Sequence, residues 1–415
     1  MTPSEPAAAL RRVAILLLTA HVFSMLGFAT FAALLPELRD RWGLSNSQAG
    51  VVGGAFFVGY ACAVSYWNAL TDRSDARRVY LAGSLLAALG SGGFGLAADG
   101  FASAFFFQAL LGAGIAATYM PGLRLLSDRV SGPLQSRYIA FYTSFFGIGT
   151  ALSLALSGAA ASLAGWRAAF LFAACGPLAA GALVFFGIAP RAPSVRHAAR
   201  FSLAALFPLH AWRRVLADRA AAGYTLGYAV HCIELFGSRG WMVAFLAFSG
   251  SLHAPAANFP WHPALIASAV NLFAVPASIL GNEAALRVGR RRWILLVMAG
   301  SGAAGLLLAA GAAWHWALVC ALLVLYSVLV MCDSAALTAG LVAAAPAELR
   351  GAAMGFYSLI GFAGGMLGPM LFGAALDLAG GAQAPRAWVF AYAAIGAGCL
   401  AAWPLARLFG ARRRA

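Results

Sequence analysis

The sequence predicts an all-α integral membrane protein with twelve transmembrane helices in two pseudo-symmetric six-helix bundles. Three observations predict this fold class: a large apolar excess, twelve segments long enough to span a bilayer, and an internal repeat. Of the 415 residues, 62% are hydrophobic and 10% are charged. Soluble domains carry about 25% charged residues, so this chain lacks the polar surface that water would require on all sides.

The apolar segments are recognised by their length, because a membrane-spanning helix requires about 20 mostly apolar residues. Twelve segments meet this requirement, at 12–36, 47–70, 78–98, 101–124, 137–163, 167–189, 221–248, 262–286, 293–312, 314–341, 351–377 and 387–409. The long polar interval at 190–220 separates them into two sets of six. We therefore expect domains at 1–189 and 221–415, joined by a cytoplasmic linker at 190–220.

The arginine distribution predicts the orientation in the membrane. All 28 basic residues are Arg, and the formal charge is +15. With a cytoplasmic N-terminus, 23 of the 28 fall on the cytoplasmic side, and the others are Arg39, Arg41, Arg167, Arg239 and Arg386. This bias predicts that both termini lie in the cytoplasm. We expect the membrane to be a bacterial inner membrane. The bias also explains the positive charge by contact with a lipid bilayer, so we expect no nucleic-acid partner.

An internal repeat supports two similar halves. Gly147 of a Ser-Phe-Phe-Gly segment and Gly361 of a Ser-Leu-Ile-Gly segment are separated by about half the chain length. Arg137 and Arg350 are separated by nearly the same interval, and both begin a predicted span. This shared repeat offset indicates a duplicated six-helix unit.

The loop between the second and third spans contains Asp72, Arg73, Arg77 and Arg78. It resembles the signature loop Gly-x-x-x-Asp-Arg-x-Gly-Arg-Arg of the major facilitator superfamily, although both glycines are missing. A second copy, between the eighth and ninth spans, contains Glu283 and Arg290. The resemblance implies a secondary transporter built from two parallel six-helix bundles.

These loop residues form a predicted cytoplasmic gate. A carboxylate that faces Arg residues in short loops can bias an equilibrium between two states. The predicted members are Asp72, Arg73, Arg77, Arg78, Glu283 and Arg290. The alternative is that these charges only set the topology.

Ionisable residues inside the predicted spans are candidates for the transport site. A charge at the centre of a membrane helix costs about 2.5–3.5 kcal/mol, so each requires a reason. The repeat offset relates Glu234 to the neighbourhood of His21, and Asp333 to Tyr119. In the resembled family, spans 1, 4, 7 and 10 line the central cavity. The predicted substrate and proton site comprises Glu234, His231, Asp333, Arg239, His21 and Tyr119.

Each candidate also has a structural interpretation. Glu234 could pair with Arg239 or His231 to hold helices together, and His21 could do the same by hydrogen bonding. Asp333 could be hydrated near the cytoplasmic end of its span. Burial favours the neutral form of a carboxyl group, which makes Glu234 or Asp333 a candidate proton carrier.

These residues favour proton-coupled uptake of a small polar or anionic solute, with Arg239 as a candidate anion contact. A proton-driven drug or metabolite exporter of the same fold is the alternative. Exporters of the resembled family carry an Arg in the fourth span where this chain has Gln108. A third alternative is a transporter-like membrane sensor that moves no solute. The sequence holds no ATP-binding motif, metal-ligand set or catalytic constellation, so we expect no enzymatic activity, cofactor or metal. We also expect the protein to be a monomer.

Overall fold

The computed structural model describes residues 4–71, 73–130, 133–191, 209–254, 257–346 and 349–406. Within these ranges the secondary structure is helical. The helices are α1 (Ser4–Ser24), α2 (Thr30–Arg41), α3 (Asn46–Thr71), α4 (Ala76–Ala97), α5 (Phe101–Ser127), α6 (Pro133–Gly187), α7 (Leu209–Ala217), α8 (Arg219–Ser251), α9 (Pro263–Ala274), α10 (Ala277–Val288), α11 (Arg290–Ala310), α12 (Trp316–Met331), α13 (Ser334–Ala344), α14 (Arg350–Leu378) and α15 (Pro385–Ala406).

The described helices correspond to the twelve passes that the sequence predicts. In the described ranges, eight helical stretches are long and apolar enough to cross a membrane, with α6, α9–α10 and α12–α13 each taken as one stretch. Gly165, at φ 82°, divides α6 into two passes, because this backbone conformation interrupts a right-handed helix. The α1–α2 pair, α8 and α15 coincide with the other three predicted spans.

The chain separates into two compact units. The first contains Met1–Leu34 and Ala55–Phe201, and the second contains Leu35–Gly54 and Ser202–Ala415. The end of the first pass and the start of the second therefore group with the C-terminal half. Helix α3 begins in one unit and ends in the other.

The expected linker at 190–220 contains the short helix α7. Its Trp212 and Val215 side chains are buried, and the Trp212 ring lies 5.2 Å from the Phe356 ring of α14. Residues 192–208 lie outside the described ranges. Helix α7 is thus docked on the C-terminal half through its apolar face.

Several helices begin at a side-chain cap. Asp75 accepts a hydrogen bond from the Arg77 amide at 3.0 Å, and Asp218 accepts one from the Ala221 amide at 2.8 Å. The His262 side chain caps α9 in the same way. Such caps satisfy amide groups that have no partner inside the helix.

Three passes that the sequence predicts as continuous are broken. The breaks lie at 25–29 in the first pass, at 275–276 in the eighth and at 332–333 in the tenth. The Ser153 hydroxyl of α6 accepts a hydrogen bond from the Ala29 amide at 3.0 Å and donates one to the Leu26 carbonyl at 2.6 Å. Trp293 Nε1 of α11 donates to the Cys332 carbonyl at 3.0 Å. Side chains of neighbouring helices thus satisfy backbone groups that a bilayer cannot hydrate.

Large apolar side chains lie on the outside of the molecule. Leu163, Phe186 and Leu378 are 87%, 84% and 90% exposed. Exposed apolar surface on this scale is unfavourable in water but matches hydrocarbon. The surface is therefore that of a multi-pass membrane protein.

Candidate functional site

The second unit holds a buried ionisable pair at the break of the tenth pass. His231 Nδ1 of α8 lies 2.7 Å from Asp333 Oδ1, and the side chains are 1% and 3% exposed. Asp333 immediately precedes α13, where the first amide groups of the helix lack intrahelical partners. The positive end of the helix dipole favours a carboxylate there. Asp333 is thus buried, and the alternative of a hydrated end position is not what the structure shows.

Glu234 lies three residues after His231 on α8 and is 2% exposed. Its Oε2 atom accepts a hydrogen bond from Ser301 Oγ at 2.8 Å and one from Cys399 Sγ at 3.1 Å. These donors belong to α11 and α15, so the carboxyl group points into the interior of the second unit. His231 and Asp333 interact electrostatically with the Glu234 carboxyl group, although neither side chain forms a hydrogen bond with it in the described ranges.

Arg239 is half-buried on the same helix. Over the part of the chain that the structure describes, it makes no ion pair with Glu234. The pairing considered from the sequence is therefore not formed. Arg239 instead presents a guanidinium group without an acidic partner among the described residues.

The first unit places His21 in an aromatic cluster. The His21 ring stacks on Tyr142, with centroids 4.3 Å apart and an interplanar angle of 18°, and lies 5.2 Å from the Tyr119 ring. His21 is fully buried, and neither ring nitrogen has a hydrogen-bond partner among the described residues. His21 therefore does not join helices by hydrogen bonding, although an imidazole always carries at least one N–H donor.

Two buried tyrosines in aromatic stacks, Tyr142 and Tyr357, were not predicted from the sequence. Tyr142 donates its hydroxyl proton to the carbonyls of Thr118 and Tyr119, each at 3.2 Å. Tyr357 stacks on Tyr228 at 3.7 Å in the second unit. Tyr142 and Tyr357 are separated by nearly the repeat offset, so that offset was a signal that could have identified both.

The predicted cytoplasmic gate is only partly described. Asp72 lies outside the described residues. Arg77 donates to the Phe185 carbonyl at 2.6 Å, at the end of α6, so its guanidinium is engaged within the first unit. Glu283 is exposed and forms no ion pair in the described ranges. The other predicted members are Arg73 and Arg78, which are exposed, and Arg290, which is half-buried. The gate stays a prediction.

A carboxylate that the sequence did not single out caps α3. Asp377 Oδ1 accepts hydrogen bonds from Asn46 N at 3.1 Å and Asn46 Nδ2 at 2.7 Å. Asp377 Oδ2 accepts from Ser47 N at 2.7 Å and Ser47 Oγ at 2.6 Å. A Cβ atom on Gly50 would lie 2.2 Å from the Pro369 carbonyl oxygen, so α3 and α14 pack here backbone to backbone. All of these residues belong to the second unit.

The chain matches a known family over more than half of its length. Residues 17–264 match the Major Facilitator Superfamily. The niacin transporter NiaP of Acinetobacter baylyi is 23% identical over 150 residues, which are 36% of this chain and 34% of that protein. The match thus spans about one third of that relative.

Solved transporter structures share the whole architecture. A bacterial homologue of the human lysosomal transporter Spinster, inward-facing and unoccupied, superposes with a TM-score of 0.75 at 14% identity and covers 99% of this chain and 96% of its own. The nucleoside transporter NupG gives 0.76 at 15% identity, covering 95% and 100%. A peptide transporter POT in complex with sulfate gives 0.76 at 13% identity, covering 96% and 95%. At these identities the likeness concerns the fold, and it confirms the predicted arrangement of two six-helix bundles.

Proposed function

The chain belongs to the Major Facilitator Superfamily of transporters, and from that premise we propose that it carries a small anionic solute together with a proton into a bacterial cell. Transport proceeds by alternating access, in which two states expose the site to opposite sides of the membrane. The protein acts as a monomer in the inner membrane, with both termini in the cytoplasm.

The observation that carries this proposal is the buried pair of His231 and Asp333. Charges inside a bilayer are expensive, and this pair balances its charges when the imidazole is protonated. Loss of that proton leaves one uncompensated negative charge in a buried site. Proton release therefore favours a state in which water reaches the pair, which links protonation to the conformational cycle.

Glu234 is the second acid of the coupling cluster, defined here as His231, Glu234 and Asp333. If both acids were ionised, two negative charges would share one buried region. We assign the exchangeable proton to this cluster as a whole, because both acids lie near the same buried imidazole. The hydrogen bonds from Ser301 and Cys399 hold the Glu234 carboxyl in place through the cycle.

The solute class is argued from groups that lack partners. In the first unit, His21 is a buried donor without an acceptor among the described residues, and it suits a carboxylate. In the second unit, Arg239 forms no ion pair with a described acid, and it is a separate candidate contact for an anion. The Tyr119 and Tyr142 rings beside His21 suit an aromatic ring. Since one relative is a niacin transporter, nicotinate is the first solute to test.

The contact between Asp377 and the start of α3 is the proposed outer latch. Because α3 begins in the second unit and ends in the first, release of its first turn would free the outer end of that helix. We propose that this contact forms in one transport state and breaks in the other.

The test is transport by the purified protein in proteoliposomes. With acid outside, we expect labelled nicotinate, or another small carboxylate of a panel, to accumulate above its external concentration, and a protonophore to abolish accumulation. Accumulation that requires the reversed pH gradient would indicate an exporter. Folded protein that shows no counterflow with any solute would favour the non-transporting sensor.

A further inference from the structure

An open groove lies on the surface of the second unit, between the end of α14 and the start of α15. Its volume is about 700 Å³, and apart from Arg386 its lining is apolar. Leu378 and Phe390 form its walls and are 90% and 61% exposed, and four alanines form the rest. Such a surface on a membrane-spanning helix pair faces lipid.

The groove has one polar end. Arg386 occupies the first turn of α15, and Ala394, the lining residue furthest along this helix, lies eight residues later. At 1.5 Å per residue, the Cα atoms of Arg386 and Ala394 are about 12 Å apart along the helix axis. The groove thus has a charged end followed by an apolar stretch. A phospholipid has the matching arrangement, with a charged headgroup followed by an acyl chain.

Arg386 is not neutralised by the described protein. Its Nε donates to the Ala379 carbonyl at 3.1 Å, and no other hydrogen bond or ion pair is formed by this side chain in the described ranges. The carboxylate at this end of α14, Asp377, has both oxygens bonded to Asn46 and Ser47. The two terminal nitrogens of the guanidinium therefore remain available to an anion.

The other half of the repeat provides a contrast. Arg167 precedes Arg386 by close to the repeat offset and begins the corresponding pass. Its Nη1 donates to the carbonyls of Gly95 and Leu96 at 3.1 and 3.2 Å, and its guanidinium lies 4.5 Å from the Trp166 ring centroid. A terminal nitrogen of the equivalent Arg is thus engaged by its own half, whereas Arg386 uses only its Nε in the described ranges.

From this geometry we propose that the groove is a binding site for an anionic phospholipid. The phosphate contacts the terminal nitrogens of Arg386, and one acyl chain lies along Phe390 and the groove alanines. An uncharged or zwitterionic lipid fills the same groove more weakly, because it brings less net negative charge to the guanidinium.

The test is native mass spectrometry of the full chain with phosphatidylglycerol or phosphatidylcholine. We expect the wild-type protein to retain phosphatidylglycerol preferentially, and Arg386→Gln to reduce that preference by about fivefold. Arg167→Gln, the matched control, leaves it unchanged. Arg386→Lys keeps the charge and retains most of the preference, which guards against loss of folding in the Gln variant.

A second set of measurements tests the apolar lining of the groove. Ala393→Phe fills the groove and is expected to reduce retention of both lipids, while millimolar inorganic phosphate displaces neither. The proposal is overturned if Arg386→Gln and Arg167→Gln lower the preference equally, if Ala393→Phe has no effect, or if phosphate alone displaces the lipid.

Discussion

At the level of single residues, the second unit holds two carboxyl groups in different surroundings. Asp333 faces an imidazole at a helix break, while Glu234 accepts hydrogen bonds from a hydroxyl and a thiol. A carboxylate beside an imidazole can exchange a proton with it, whereas neutral donors mainly fix the position of the group. Asp333 is therefore the first residue to test for coupling.

Asp333→Asn is expected to abolish accumulation driven by a pH gradient and to leave counterflow largely intact. The Asn side chain removes the negative charge that balances a protonated His231, so the buried imidazole no longer holds the coupling proton. Exchange needs only solute binding and the conformational change. The measurement compares the two assays in the same proteoliposomes. Asp99→Asn, an exposed acid bonded to Ser103, is the control. Gradient-driven accumulation by Asp333→Asn would contradict the assignment.

Glu234→Gln is expected to show the same separation of accumulation and exchange, because the proposal assigns the coupling proton to Glu234 together with His231 and Asp333. The amide oxygen can still accept from Ser301 and Cys399, so thermal stability should change little. Loss of stability and exchange together in the Gln variant would instead assign Glu234 a purely structural role through Ser301 and Cys399.

His21→Phe is expected to weaken solute binding by about tenfold, equivalent to about 1.4 kcal/mol, without lowering the free energy of unfolding. Phenylalanine can keep the stack on Tyr142, and it removes a buried polar group that has no described partner. Affinity is measured by calorimetry or by counterflow. Tyr142→Phe is the converse control: it keeps the stack, loses two hydrogen bonds, and should lower stability.

At the level of helices, the broken passes depend on side chains from their neighbours. Ser153 bridges the break between α1 and α2, and Trp293 bonds to the break before α13. These side chains stabilise non-helical backbone where no water is available. The breaks therefore belong to the packed structure of each unit rather than to one helix alone.

Ser153→Ala is expected to lower the free energy of unfolding by about 1–3 kcal/mol, because it leaves the Ala29 amide and the Leu26 carbonyl without this partner. The measurement is chemical unfolding in detergent micelles. Ser162→Ala is a matched control on the same helix: among the described residues, its exposed hydroxyl bonds only to the Ala159 carbonyl. Equal effects of the two variants would rule out a specific role for Ser153.

Asp377→Asn should increase hydrogen exchange at the Asn46 and Ser47 amides by about tenfold. The amide nitrogen of Asn cannot accept the two hydrogen bonds from Ser47, and the favourable charge at the helix N-terminus is lost. Ser47→Ala removes one of the four bonds and should have a smaller effect. Asp99→Asn, an exposed acid that accepts a hydrogen bond from Ser103 in the first unit, should have none. Unchanged exchange in Asp377→Asn would exclude the latch.

At the level of the whole molecule, the arginine distribution predicts which loops face the cytoplasm. A cysteine at Asp99 should react with an impermeant maleimide in intact cells, whereas one at Arg287 should react only after lysis. The exposed native residues Cys62 and Cys175 are replaced by Ser beforehand. Labelling of both sites in intact cells, or of Arg287→Cys alone, would contradict the orientation.

The sequence by itself determined the membrane character, the twelve passes and the duplicated six-helix organisation. These properties depend on composition and segment length, which can be read from consecutive residues without knowing how the helices pack. The repeat offset also related Asp333 to Tyr119 and could have related Tyr142 to Tyr357, because duplication preserves spacing.

Only the tertiary structure decided which side chains meet and where the passes break. Ser301 and Cys399 lie 67 and 165 residues from Glu234, and Asn46 lies 331 residues from Asp377. Periodicity identifies neighbours three or four residues apart on one helix, but partners on other helices depend on how those helices pack. The break at 25–29 likewise depends on Ser153, whose hydroxyl is brought to it only when α6 packs against α1 and α2.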